Sequence, residues 1–170
     1  MRKFLSSGLM FAGIVYLPVS VSPRQTDTTP SPDYRTDPRL HRLRAFFERA
    51  GCPARKYVHA FLEAADYYDL DWRLLPSLSF VESTGGKNAP NNNLFGWDSG
   101  KAQFATPTDS IHTVGYRLAH SSLYKDKDLD ELLSTYNPNV EYRQKVKSVM
   151  RRIAPSEQSA ESYSIIRTPK

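Results

Sequence analysis

Leu74-Leu75-Pro76-Ser77-Leu78-Ser79-Phe80-Val81-Glu82-Ser83, followed at once by Thr84-Gly85-Gly86, is the stretch that decides how this chain reads. Leu74, Leu75, Leu78 and Val81 recur at helical spacing, which predicts a helix with one apolar face. Asp71 stands where a cap belongs. The Gly85-Gly86 pair ends the helix, because glycine enters the left-handed conformation without strain. Positions 75, 78 and 82 are spaced +3 and +4, which sets Glu82 on the leucine face at the C-terminal end. Two effects then act on its carboxyl in one direction. Desolvation disfavours the charged form, and the negative end of the helix dipole disfavours it again. A glutamic acid that keeps its proton near neutrality is what general-acid catalysis requires. The common alternative is a surface Glu that turns to solvent or pairs with an arginine.

Downstream, residues 87–93 read Lys-Asn-Ala-Pro-Asn-Asn-Asn, a loop by composition. Leu94-Phe95-Gly96-Trp97 and Lys101 to Phe104 are short apolar runs on either side of Asp98-Ser99-Gly100, a pattern that predicts a small β-hairpin. Asn93 brings an amide, and Phe95 and Trp97 bring flat faces. Amide hydrogen bonds plus aromatic faces are the means by which sugars are bound, so these residues are candidate ligand contacts beside Glu82. Asp98 is the candidate for a second carboxylate. Its plainer reading is a turn former, since Asp-Ser-Gly is favourable turn chemistry.

The remaining signals are helical. Asp37-Pro38 is a cap followed by a first-turn proline, with Leu40, Leu43, Phe46 and Phe47 on one face and Gly51 beyond. Pro53 to Tyr68 forms a second helix. Thr106-Pro107-Thr108-Asp109 starts another on a capping box, with Ile111, Val114 and Leu118 inside. Asp128 caps a shorter helix with Leu129, Leu132 and Leu133. Tyr136-Asn137-Pro138-Asn139 interrupts the chain before a last helix with Tyr142, Val146, Val149 and Ile153. The predicted architecture is mostly α (α+β): a helical domain over 37–154 with one small β-hairpin.

The chain has 170 residues, enough for one domain. Its net charge is +5, and Arg2 and Lys3 belong to the N-terminal segment. No Lys/Arg stripe supports nucleic-acid binding, so none is expected. A mild positive surplus suits approach to an anionic polymer. Residues 1–22 carry a basic start and an apolar stretch from Phe4 to Leu17, the pattern of an export signal. The alternative is an uncleaved anchor tethering the protein to a membrane. Residues 23–36 are rich in Pro, Ser, Thr and Asp and read as a disordered linker; 155–170 read as a flexible tail. Cys52 is the lone cysteine, and His41, His59, His112 and His120 show no ligand spacing, so neither a metal nor any other cofactor is expected. There is no Gly-x-Ser-x-Gly elbow and no phosphate-cradling glycine loop.

From Leu75 to Ile153 the chain resembles the lysozyme-like superfamily, nearest to its bacterial glucosaminidase and lytic transglycosylase branches. Residues 74–83 resemble the catalytic-helix motif whose Glu-Ser pair carries the acid. Asn93-Leu94-Phe95-Gly96 is similar to a groove-lining segment of the glucosaminidases. Tyr136-Asn137 resembles the Tyr-Asn pair near the acid of the transglycosylases, and Tyr142 with Val146 matches the close of these domains. The resemblance implies Glu82 as catalytic acid, Tyr136 as a hydroxyl near it, and Ser83, Asn93, Phe95 and Asn137 around the substrate, where Trp97 and Asp98 are expected on their residue types. The substrate it implies is peptidoglycan, cut between N-acetylmuramic acid and N-acetylglucosamine by a monomer exported to the periplasm or envelope. The transglycosylases' Gly-Leu-Met-Gln motif is absent, which leaves transglycosylase and hydrolase chemistry both open. A hydrolase ordinarily needs a second carboxylate; in a transglycosylase the muramic 6-hydroxyl closes onto C1 instead. A reading from another class is a non-catalytic wall-binding module that positions a partner at the envelope.

Overall fold

Capping residues begin most of the helices. The computed structural model describes residues 33–155. The expected export signal of 1–22, the expected linker up to residue 32 and the expected tail beyond 155 lie outside the described residues. Helix α1 (Pro38–Arg49) starts on Asp37, whose side chain accepts from Arg39 N. Helix α2 (Val58–Tyr67) follows a 3-10 turn over Pro53–Tyr57. Helix α3 (Leu74–Ser83) carries Pro76 within its first turn, where a missing N–H costs no helical bond. Helices α4 (Pro107–His120) and α5 (Leu129–Tyr136) both open on capping boxes, Thr106 with Asp109 and Asp128 with Glu131. Helix α6 (Val140–Ile153) starts on Asn139, whose side-chain amide oxygen accepts from the N–H groups of Glu141 and Tyr142.

The apolar faces read from the sequence meet in one core. Leu40, Leu43, Phe46 and Phe47 of α1, Leu74, Leu75 and Leu78 of α3, and Val146, Val149 and Ile153 of α6 are all buried. Burial of each large side chain stabilises by about 1.5–3 kcal/mol. Helix α3 packs chiefly on α6, and α2 on α4. The second contact is close because Gly115 lies in α4. A Cβ there would stand 2.8 Å from the Tyr68 ring and 3.3 Å from Leu75.

The fold begins earlier than the linker reading of 23–36 allows. Tyr34 is 5% exposed, and its hydroxyl donates to Asp66 at 2.9 Å. Arg39 holds the same carboxylate at 2.7 and 2.9 Å. Residues 33–36 therefore belong to the domain.

The expected β-hairpin over 94–104 is not formed; among the described residues there is no strand. The reason is local. Gly96, Asp98, Ser99 and Gly100 all have positive φ, at 59°, 53°, 54° and 84°. Four left-handed residues in five positions coil the chain instead of extending it. The bonds that result are short-range, from Gly100 N to Gly96 O (2.9 Å) and from Lys101 N to Asp98 O (2.9 Å). Leu94 and Phe95 are adjacent and both buried, which the alternation of a strand does not permit. The returning chain is held by Asn92, whose side-chain amide donates to the carbonyls of Phe104 and Ala105.

Candidate functional site

Glu82 occupies the last turn of α3. The helix stops just beyond it, because Thr84, Gly85 and Gly86 turn left-handed with φ of 55°, 60° and 88°. Gly85 also has no room for a side chain: a Cβ there would meet Cys52 Cβ at 2.8 Å. The helix end is thus pinned against the Cys52 turn, and the carboxyl of Glu82 is held at a defined place.

One carboxyl oxygen, Oε1, accepts a hydrogen bond of 2.6 Å from the Tyr142 hydroxyl. The other faces Gly96, where an added Cβ would lie 3.1 Å from Oε2. Glu82 nevertheless keeps an open side to solvent. Its pKa is pushed above the ordinary carboxylate value by the protein crowded around it, while the Tyr142 hydroxyl pulls it back down. Water on the open side limits the upward push. The two causes of the shift are that burial and the Tyr142 hydrogen bond.

Behind Glu82 is a wall of rings. Tyr142 stacks on Tyr136 at 6.0 Å, Tyr136 meets Trp97 edge-on at 5.9 Å, and Trp97 touches Tyr124 at 6.4 Å. The Arg117 guanidinium lies 5.6 Å over the Trp97 ring, an attractive cation–π arrangement. Burial raises the pKa values of Tyr136 and Tyr142, and the negative charge of Glu82 raises them further. Both phenols therefore stay protonated donors.

Several expected contacts sit elsewhere. Tyr136 is buried and donates to the Phe95 carbonyl at 2.9 Å, so its hydroxyl is not the one on Glu82; Tyr142 has that place. Phe95 is 1% exposed and fills the core, leaving no face for a ligand. Ser83 is buried, with its hydroxyl between the carbonyls of Ser79 (3.0 Å) and Leu94 (2.8 Å), and it accepts from Gly86 N. Asn93 is buried as well. Its amide donates to Trp97 O and accepts from Trp97 N, both at 2.9 Å, closing the turn that carries Gly96. Asn137 caps the end of α5 and accepts from Asn139 N. Asp98 is exposed, left-handed and placed as a turn former. Of the aromatic contacts expected beside Glu82, Trp97 alone is partly open.

Two residues of the site were not singled out by sequence. Tyr142 carried a signal as part of the buried stripe of α6 and of the Tyr-x-x-x-Val close of the resemblance, neither of which gives it a place on Glu82. Gly96 carried one as the residue after Phe95 in the Asn-Leu-Phe-Gly segment. Among the described residues no His, Cys, Asp and Glu group is arranged to hold a metal, and no helix is long and apolar enough to cross a membrane. Cavities of about 470 and 440 Å³ lie away from Glu82, at the ends of α2 and α4 and beside the Cys52 turn respectively. The carboxyl identifies the candidate site through its chemistry and surroundings, since neither cavity includes it. Comparison with protein families, with characterised proteins and with solved structures finds no match to this chain.

Proposed function

We propose that this protein is a peptidoglycan-cleaving enzyme of the lysozyme-like superfamily, working through one glutamic acid, Glu82. The observation that carries the reading is the environment of that carboxyl. It is raised in pKa by burial, held on one oxygen by Tyr142, and open to solvent on the other side. Such a group can deliver a proton to a glycosidic oxygen and take one back.

The proposed reaction follows from a lone acid. Protonated Glu82 gives its proton to the oxygen between N-acetylmuramic acid and N-acetylglucosamine as the C1–O bond breaks. The carboxylate left behind takes a proton from the nucleophile that closes on C1. With the muramic 6-hydroxyl as nucleophile the product is a 1,6-anhydro end; with water it is a reducing end. A two-carboxylate hydrolase needs a partner about 5–10 Å away; Asp98, the carboxylate the sequence offered for that part, is exposed and shaped as a turn former, which favours the first. Tyr142 positions the acid. Export to the periplasm or envelope, by the apolar segment of 1–22, agrees with such a substrate.

The test is to digest purified peptidoglycan with the protein and with Glu82→Gln, and to identify the fragments by mass spectrometry. Anhydro ends from the wild type alone are expected. Reducing ends from the wild type would overturn the transglycosylase assignment and leave a hydrolase. Equal release by both proteins would remove Glu82 from the chemistry. Binding to sacculi with no fragments from either would replace the enzyme by a wall-binding module.

A further inference from the structure

The exposed large apolar side chains among the described residues are Tyr67, Tyr116, Leu123 and Val140. Two of these four, Tyr67 and Tyr116, come together on Tyr68, where α2 ends against α4. Such concentration marks a surface that meets something. Tyr67 is 77% exposed and Tyr116 54%. Both stand edge-on to Tyr68, at 5.0 and 6.1 Å. His120 lies flat against Tyr116 at 4.5 Å with 15° between the rings. The result is an aromatic cluster whose rings meet Tyr68 at near right angles, with Tyr67 and the stacked Tyr116–His120 pair as its exposed faces.

The centre is fixed by a costly choice of residue. Glycine inside a helix destabilises by roughly 0.5–1 kcal/mol relative to alanine. Gly115 occupies such a position in α4, and any Cβ would collide with the Tyr68 ring. The helix accepts that cost, and the ring seats against its backbone.

Beside the cluster opens a cleft of about 470 Å³, a volume in the range of small-molecule sites. Its polar lining is mixed. Asp69 brings an acceptor, Lys125 and Asp126 face each other at 3.7 Å, and Lys127 donates to the Thr135 hydroxyl at 2.6 Å, so the charges are balanced within the lining. An anion or a cation would favour a lining of one sign. A lining that both donates and accepts, next to flat rings, matches a neutral polyhydroxylated ring: hydroxyls exchange hydrogen bonds and the C–H face lies on the aromatics. Tyr124, in the wall of this cleft, is also the residue that packs on Trp97. A run of packed rings, Tyr124, Trp97, Tyr136 and Tyr142, thus links the wall of the cleft to the residue that holds Glu82.

We infer that the cleft between the C-terminal ends of α2 and α4 is a second carbohydrate-binding site, taking uncharged sugar units of a glycan chain on the Tyr67–Tyr68–Tyr116 cluster. The choice of ligand agrees with the glycan chemistry proposed for Glu82, but the site is testable without cleavage. The probe is the uncharged β-1,4-linked hexamer of N-acetylglucosamine. It is titrated into the full chain carrying Glu82→Gln, and the backbone amide shifts of residues 67–70 and 116–127 are followed by NMR. Saturable shifts there are expected. Adding Tyr67→Ala and Tyr116→Ala should weaken that response about tenfold, the consequence of removing stacked rings. Both side chains are exposed, so an unchanged melting temperature verifies the fold. No shift in these residues, or equal affinity after both substitutions, overturns the inference. Peptidoglycan digestion by the wild type is read separately. Cleavage without hexamer binding at the cleft would sink this site and spare Glu82; binding without cleavage would do the reverse.

Discussion

Tyr142 and Glu82 lie sixty positions apart in the chain and 2.6 Å apart in the fold. The hydroxyl donates to the ionised carboxyl and so favours it, opposing the burial that disfavours it. Tyr142→Phe removes only the hydroxyl. The Glu82 pKa then rises further, and a reaction needing Glu82 protonated keeps its rate to higher pH. The alkaline limb of the pH–rate profile for fragment release should move upward. The maximal rate should fall about tenfold as the carboxyl loses its charge-assisted bond and its orientation. An alkaline limb that stays in place would separate Tyr142 from the acid.

Glu82 itself links stability to pH. Its folded-state pKa lies above the ordinary value of 4.5. For a raised pKa, the stabilising contribution is complete below the unfolded value and is lost as pH rises through the folded one. Glutamine in its place has nothing to ionise and still accepts from Tyr142. The melting temperatures of wild type and Glu82→Gln should therefore converge at about pH 4, with the variant higher at about pH 7. A wild type that gains on the variant as pH rises would mean the carboxylate is stabilised by its surroundings.

Gly96 and Gly100 make a matched pair for testing the back of the site. Both are left-handed, with φ of 59° and 84°. A Cβ at Gly96 meets Glu82 Oε2 at 3.1 Å, whereas one at Gly100 meets nothing within 4 Å. Alanine at either should cost about 1–2 kcal/mol for the left-handed backbone. Only Gly96→Ala should also depress fragment release, by about tenfold or more, because misplacing a reacting group is costly. Urea melts and digestion rates on both variants make the comparison. Equal losses of activity would show that backbone strain alone is responsible.

The helices were legible because their ends are written in short range. Asp37-Pro38, Thr106 with Asp109, and Asp128 with Glu131 sit within a few residues of the groups they cap, and each cap forms. The 94–104 segment misled because apolar runs around Asp-Ser-Gly match a hairpin in composition. The outcome depended on four separate left-handed residues, two of them not glycine. Glu82 was legible from its place at the end of a leucine stripe. Its donor was not, because Tyr142 looks like any buried position of α6 until α3 and α6 pack together. Phe95, Ser83 and Asn93 illustrate the converse. Residues able to bind sugar are equally able to close a turn or fill a core, and burial decides between the two.

Ser83 tests that distinction directly. The resemblance gives it a place beside the substrate, yet it is 2% exposed and its hydroxyl bridges the end of α3 to Leu94 and Gly86. Ser83→Ala leaves the Leu94 carbonyl and the Gly86 N–H without that partner. Orphaned buried groups cost about 1–3 kcal/mol, so the urea midpoint should drop by a corresponding amount. The carboxyl next to it keeps its bond to Tyr142 on a different helix. Folded Ser83→Ala protein should therefore release fragments with KM unchanged and kcat within about threefold of wild type. A large rise in KM at undiminished stability would return Ser83 to the substrate contacts. A loss of stability with KM intact would establish it as the clamp that holds the end of α3 to Leu94 and the Gly96 turn.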